Sequence, residues 1–108
     1  MELPVVNHPD YVAKINDDNK FPIKKFGALA EYLLKEGVVK KFYIPKECSI
    51  KTMQNSHSLK YINHIRDKSL DIKLQKKIGF PINDSVARRS FVATGGTVLA
   101  SKLALDYK

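Results

Sequence analysis

Three histidines and one cysteine, with a few serines and carboxylates, are the residues here that could carry out chemistry. His57 and His64 stand seven apart, about two helical turns, so a continuous helix would set them on one face. A metal site would also need a third ligand, for which Asp10 or Asp67 are the available carboxylates, and outer groups to orient the rings. No tight ligand motif accompanies them, so exposed or hydrogen-bonded histidines, His8 included, are the stronger reading. Cys48 beside Glu47 lacks an evident activating cation, which favours an inert or buried thiol. Gly95-Gly96-Thr97 has neither the spacing of a phosphate-binding loop nor the strand that should precede one. Ser85 and Ser90 have no nucleophile-elbow context. The sequence carries no recognisable catalytic constellation.

The elements that would position such residues are legible from spacing. Ile78-Gly79-Phe80-Pro81 reads as a loop, followed by a helix from an Asp84 cap candidate through Leu105. Gly95 and Gly96 lie inside that helix, where each glycine costs about 1 kcal/mol relative to alanine. Such a pair predicts a place where another backbone packs too closely for a side chain. A second helix is expected from Phe21-Pro22 to Gly37, with Ile23, Phe26, Leu29, Ala30, Leu33 and Leu34 on one face. Ser49 is positioned to cap a short turn through Met53. Tyr61, Ile62 and Ile65 mark a further helix, and Leu70, Leu74 and Ile78 another. Leu3 to Val6 and Val38 to Ile44 read as two short strands. Strand, helix and strand in that order predict a parallel pair with a right-handed crossover.

The chain has 108 residues and 44% apolar content, enough for a modest core within one domain. No apolar run reaches the ~20 residues that span a bilayer. A lone cysteine and the absence of a signal-like start fit a cytoplasmic, reducing setting with no membrane partner. The net charge of +8 raises the question of nucleic acid. Sixteen of the nineteen basic residues are lysines scattered along the chain, and only Arg66, Arg88 and Arg89 offer the bidentate fork suited to phosphate. Weak nonspecific attraction is therefore favoured over specific nucleic-acid binding.

Four segments in order resemble the opening of histone deacetylase-like proteins of the bacterial, class IV-like branch. They are Asn7-His8-Pro9-Asp10-Tyr11; Phe21-Pro22 through Tyr32-Leu33-Leu34-Lys35-Glu36-Gly37; His57-Ser58 with Tyr61-Ile62; and Gly79-Phe80-Pro81 leading through Arg88-Arg89-Ser90 to Thr94-Gly95-Gly96-Thr97. The resemblance implies an α/β class: the N-terminal portion of an arginase/deacetylase-type parallel-sheet fold, mostly helical with two short strands. Residues 1–108 would form a partial, N-terminal deacetylase-like domain. Family enzymes use zinc and water to hydrolyse acetyl amides. By position, His8, Asp10, Phe21, Pro22, Phe80 and Pro81 would be rim residues beside a substrate channel. The family's zinc ligands have no counterparts here, so no residue inherits a catalytic, metal or cofactor role.

Two functional expectations follow. The first is a deacetylase-like fragment, inactive alone and without a cofactor of its own, with a separately encoded C-terminal half as a candidate partner. The second is a small basic non-enzymatic module that binds nucleic acid or a protein partner.

Overall fold

A 3-10 turn and five α-helices carry the chain in the computed structural model, which describes residues 3–16, 18–79 and 81–106. The turn is Pro9–Tyr11; the helices are α1 (Lys25–Lys35), α2 (Ile50–Met53), α3 (Leu59–Arg66), α4 (Ile72–Ile78) and α5 (Asp84–Asp106). The start of α5 is set by Asn83 rather than by Asp84. The Asn83 side-chain oxygen accepts from the Val86 amide at 2.9 Å, and its carboxamide nitrogen donates to the Lys14 carbonyl at 2.9 Å. One residue thus caps the helix and ties it to the 12–16 loop. Ser49 and Ser58 cap α2 and α3 by accepting from Thr52 and Tyr61 amides, and Asp71 caps α4 through the Lys73 amide.

Helix α1 begins three residues after Pro22. The Lys25 amide bonds the Pro22 carbonyl, and the first full helical bond runs from the Ala28 amide to Lys24. Pro22 therefore leads the chain into the helix from outside it. Gly37 ends α1 with φ of +71°, a conformation that favours glycine.

The two expected strands do not form, and among the described residues there is no sheet. Val6 and Tyr43 meet in one isolated parallel bridge, with the Asn7 amide on the Tyr43 carbonyl (3.1 Å) and the Tyr43 amide on Val5 (2.9 Å). The physical reason is a shortage of free backbone groups. The Val38 and Val39 amides both donate to the Leu33 carbonyl, closing the end of α1 instead of a ladder. Pro4 and Pro45 have no N–H to extend the pairing in either direction. The α/β parallel-sheet expectation is corrected accordingly: this is a helical chain with extended connections.

The core lies where the first half of α5 meets α2, α3 and the 12–23 segment. Ile23, Met53, Ile62, Ile65, Leu70, Ile82, Val86, Ala87 and Phe91 are buried together. Helix α1, expected to carry Phe26, Leu29, Ala30, Leu33 and Leu34 on one face, buries none of its residues fully. Leu29 and Tyr32 are 57% and 59% exposed, so its apolar stripe has only partial cover. Tyr61, Leu74 and Ile78, expected on inward faces, are exposed as well.

The whole is a plate of 46 × 34 × 17 Å. Its 17 Å thickness matches two layers of packed helices, whose axes stand about 8–10 Å apart, and leaves no room for a third.

Candidate functional site

Consecutive arginines on one helix point about 100° apart, so Arg88 and Arg89 reach different neighbours. Arg88 Nε donates to Asp10 Oδ2 at 3.0 Å, and its Nη1 pairs with Glu47. The Asp10 hydrogen bond, with Glu47 adding to it, holds the Arg88 pKa above its ordinary value. Arg89 Nε donates to the Tyr11 carbonyl at 2.7 Å, and its guanidinium stacks over Phe21 and Phe26 at 5.6 and 5.1 Å from the ring centres. Burial lowers the Arg89 pKa, with the nearby Tyr11 opposing the shift. The pair joins the 3-10 turn, the 45–48 segment and α1 to α5. It is an anchoring cluster, and every polar contact in it is spent on the fold.

His8 belongs to the same region but acts on the backbone. Its Nδ1 accepts from the Asp10 amide at 2.9 Å, capping the 3-10 turn, and its ring lies tilted 6.3 Å from Tyr11. Phe21 packs against Phe26 with 6.2 Å between centroids. Pro22 is exposed beside a cleft shared with Val12 and Ile23. Pro81 lines a shallow depression with Ile72 and Gly79, and Phe80 lies outside the described residues. One bond links these two loops: Asn19 Nδ2 donates to the Gly79 carbonyl at 3.0 Å. Of the positions singled out as a rim, His8 and Asp10 therefore sit in the arginine cluster with Phe21, while Pro22 and Pro81 flank separate clefts.

The histidine pair does not share a helix. His57 precedes the Ser58 cap of α3 and stacks on Tyr61 at 5.4 Å, whereas His64 bonds Ser69 Oγ at 2.8 Å near the helix end. Among the described residues no group of three or more His, Cys, Asp or Glu side chains is placed to hold a metal ion. The histidines and carboxylates among the described residues therefore do not make up a zinc donor set.

The Gly-Gly pair has a definite partner. A methyl group on Gly95 would overlap the Lys46 carbonyl oxygen and stand 3.1 Å from the Cys48 amide nitrogen. On Gly96 it would overlap the Tyr11 hydroxyl. The Cys48 amide donates to the Phe91 carbonyl at 3.0 Å, one helical turn before Gly95. The 45–48 backbone thus lies directly on α5, as the glycines predicted, and the tyrosine contact is the part that spacing did not foretell.

Burial raises the Tyr11 phenol pKa, with Arg89 opposing. A phenol with a raised folded pKa stays protonated while the unfolded chain ionises. Its contribution is therefore complete below the ordinary tyrosine value of about 10 and is lost as pH climbs through the folded value. Thermal unfolding followed from pH ~9 to ~11 is expected to lose stability faster in the wild type than in Tyr11→Phe. Equal pH slopes would assign the loss to other tyrosines.

No family model matches the chain. Over 109 aligned residues it is 36% identical to an uncharacterized protein of Picosynechococcus sp., covering 99% of this chain and 36% of that protein. The chain thus spans little more than a third of the length of the relative it matches. With no matching family model, an uncharacterized relative and a helical fold without strands among the described residues, the histone deacetylase resemblance is corrected: it is not supported. No helix among the described residues is long and apolar enough to cross a membrane.

Proposed function

We propose that the chain is a non-enzymatic docking module that forms one face of a larger protein assembly. Its partner is a polypeptide corresponding to the part of the longer relative that lies outside the matched third. One observation carries this reading. The chain exposes 7976 Å² of surface, against about 6,100 Å² for a compact monomer of its mass. The excess, roughly 1,900 Å², exceeds the ~800 Å² that each partner contributes to a standard interface. Large apolar side chains lie on that surface: Leu29, Tyr32, Val38, Ile44 and Leu105 are all at least half exposed. Where exposed apolar side chains adjoin, as Leu29 and Tyr32 do one turn apart on α1, they support an interaction surface.

The relative's length supports the choice of partner, since the matched region there is accompanied by nearly twice as much additional chain. Lone Cys48 agrees with a reducing cytoplasmic setting. A second reading, nucleic-acid binding, is favoured only by the net charge of +8. It would appear as an affinity falling steeply with salt.

Co-expression of this chain with the unmatched part of the Picosynechococcus relative tests the proposal. A one-to-one complex is expected, together with loss of the binding of an apolar-surface dye shown by the chain alone. Failure to co-purify, with the isolated chain monomeric and dye-free, would overturn it. Self-association that buries the same surface would assign the face to a second copy instead.

A further inference from the structure

The second half of α5 has no core of its own, and the groove beside it is the most specific feature left without a role. Val98 and Leu99 are half-buried, Leu105 is exposed, and none of the three joins the buried cluster served by Val86, Ala87 and Phe91. Against them runs the 44–48 segment, fixed to α5 by the Cys48 amide bond to Phe91 and by the Arg88–Glu47 pair. Between the two lies an open cleft of about 410 Å³, lined by Ile44, Pro45, Cys48, Val98 and Leu99, with Gly95 among its walls. A side chain at Gly95 would push the segment away, so the glycine that permits the close approach also shapes the groove.

The charges around the groove are not balanced. Lys46 and Lys102 line it and are exposed. The one carboxylate among its lining residues, Glu47, is drawn onto Arg88. An incoming segment would therefore meet an apolar floor with positive charge at its edges.

We propose that this groove is the docking site for an apolar segment of the partner polypeptide, with a carboxylate placed to meet Lys46 and Lys102. The inference rests on the docking reading above and specifies where the contact falls and what chemistry it needs. The relative's additional chain is the source proposed for the occupant, because it accompanies this region in a longer protein, and the lysines at the groove's edges set the acidic character required of it. Ile44, 66% exposed in the isolated chain, is the side chain the segment would cover most.

Cys48 lines the groove and is partly exposed, so it reports occupancy without any mutation. In the co-expressed complex, alkylation of Cys48 by iodoacetamide, read by mass spectrometry on its peptide, is expected to slow at least tenfold relative to the free chain. Lys102→Glu, an exposed change that leaves the core untouched, is expected to weaken the complex at least fivefold at low salt and to restore Cys48 reactivity. A stable complex in which Cys48 reacts as fast as in the free chain would overturn the groove assignment while leaving the docking module intact. Slowed alkylation with no effect of Lys102→Glu would overturn the acidic part of the partner chemistry. No complex at all would overturn both readings.

Discussion

Gly95→Ala is expected to destabilise the chain by about 1–3 kcal/mol, the range for overpacking a close contact, even though the substitution improves the local helix. In an open helix the same change would stabilise by about 1 kcal/mol. The sign is decided by what the methyl meets. At Gly95 it meets the Lys46 carbonyl oxygen and, at 3.1 Å, the Cys48 amide nitrogen, both backbone atoms that cannot rotate away. Relief would require the 45–48 segment to lift from α5, stretching the Cys48–Phe91 hydrogen bond and the Arg88–Glu47 pair together. Gly27→Ala is the matched control, because its methyl would meet only the end of the Val12 side chain at 3.2 Å. Urea unfolding of the two variants checks the argument. A Gly95→Ala chain more stable than the wild type would show that no close backbone approach exists.

That prediction was legible in the sequence because two adjacent glycines inside an apolar helix have few explanations. The caps at Ser49 and the stop at Gly37 were legible for the same reason: each depends on one residue and its immediate neighbours. The strands were not. Leu3 to Val6 and Val38 to Ile44 have the β-branched composition of strands, but strand formation depends on distant partners and on which amides remain available. The Leu33 carbonyl captures two of those amides, and neither capture is visible in a hydrophobic pattern. Asn83 was not legible as the cap because the neighbouring Asp84 is an equally good cap by type, and only the Val86 amide bond to Asn83 decides between them. The family resemblance failed at a different level. Short motifs such as Gly-Phe-Pro and Gly-Gly-Thr report turns and close packing, which unrelated folds also need.

The anchoring cluster and the groove were beyond the reach of sequence reading for a common reason. Arg88, Asp10 and Glu47 are up to 78 positions apart, so their meeting is a property of the fold. Lysines make up most of the positive charge, yet the cations that join distant segments in the anchoring cluster are Arg88 and Arg89, while Lys68 pairs with Asp84 at 2.6 Å at the exposed start of α5. This follows from chemistry. A guanidinium can satisfy a carboxylate, a carbonyl and an aromatic face at once, whereas a lysine ammonium remains better hydrated at the surface.

Helix α5 is the element on which the docking argument turns, and its two halves are expected to respond oppositely to truncation. Phe91→Ala should destabilise the isolated chain by about 3–5 kcal/mol, since it removes a buried ring from the core cluster. A chain of this size is stabilised by about 5–15 kcal/mol at most. One that leaves so much apolar surface uncovered belongs at the lower end, so this variant should be largely unfolded at 37 °C. Leu103→Ala, three turns further along the same helix, should change the isolated chain's stability by no more than about 0.5 kcal/mol, because Leu103 is only half-buried and lies outside that cluster. Circular dichroism during thermal unfolding distinguishes the two. Equal losses would mean that the distal half of α5 is already packed in the isolated chain and would remove the distal half from the surface left for a partner. A large loss at Phe91 alone would leave the distal half as a helix held by its own backbone, with its apolar side chains still to be covered.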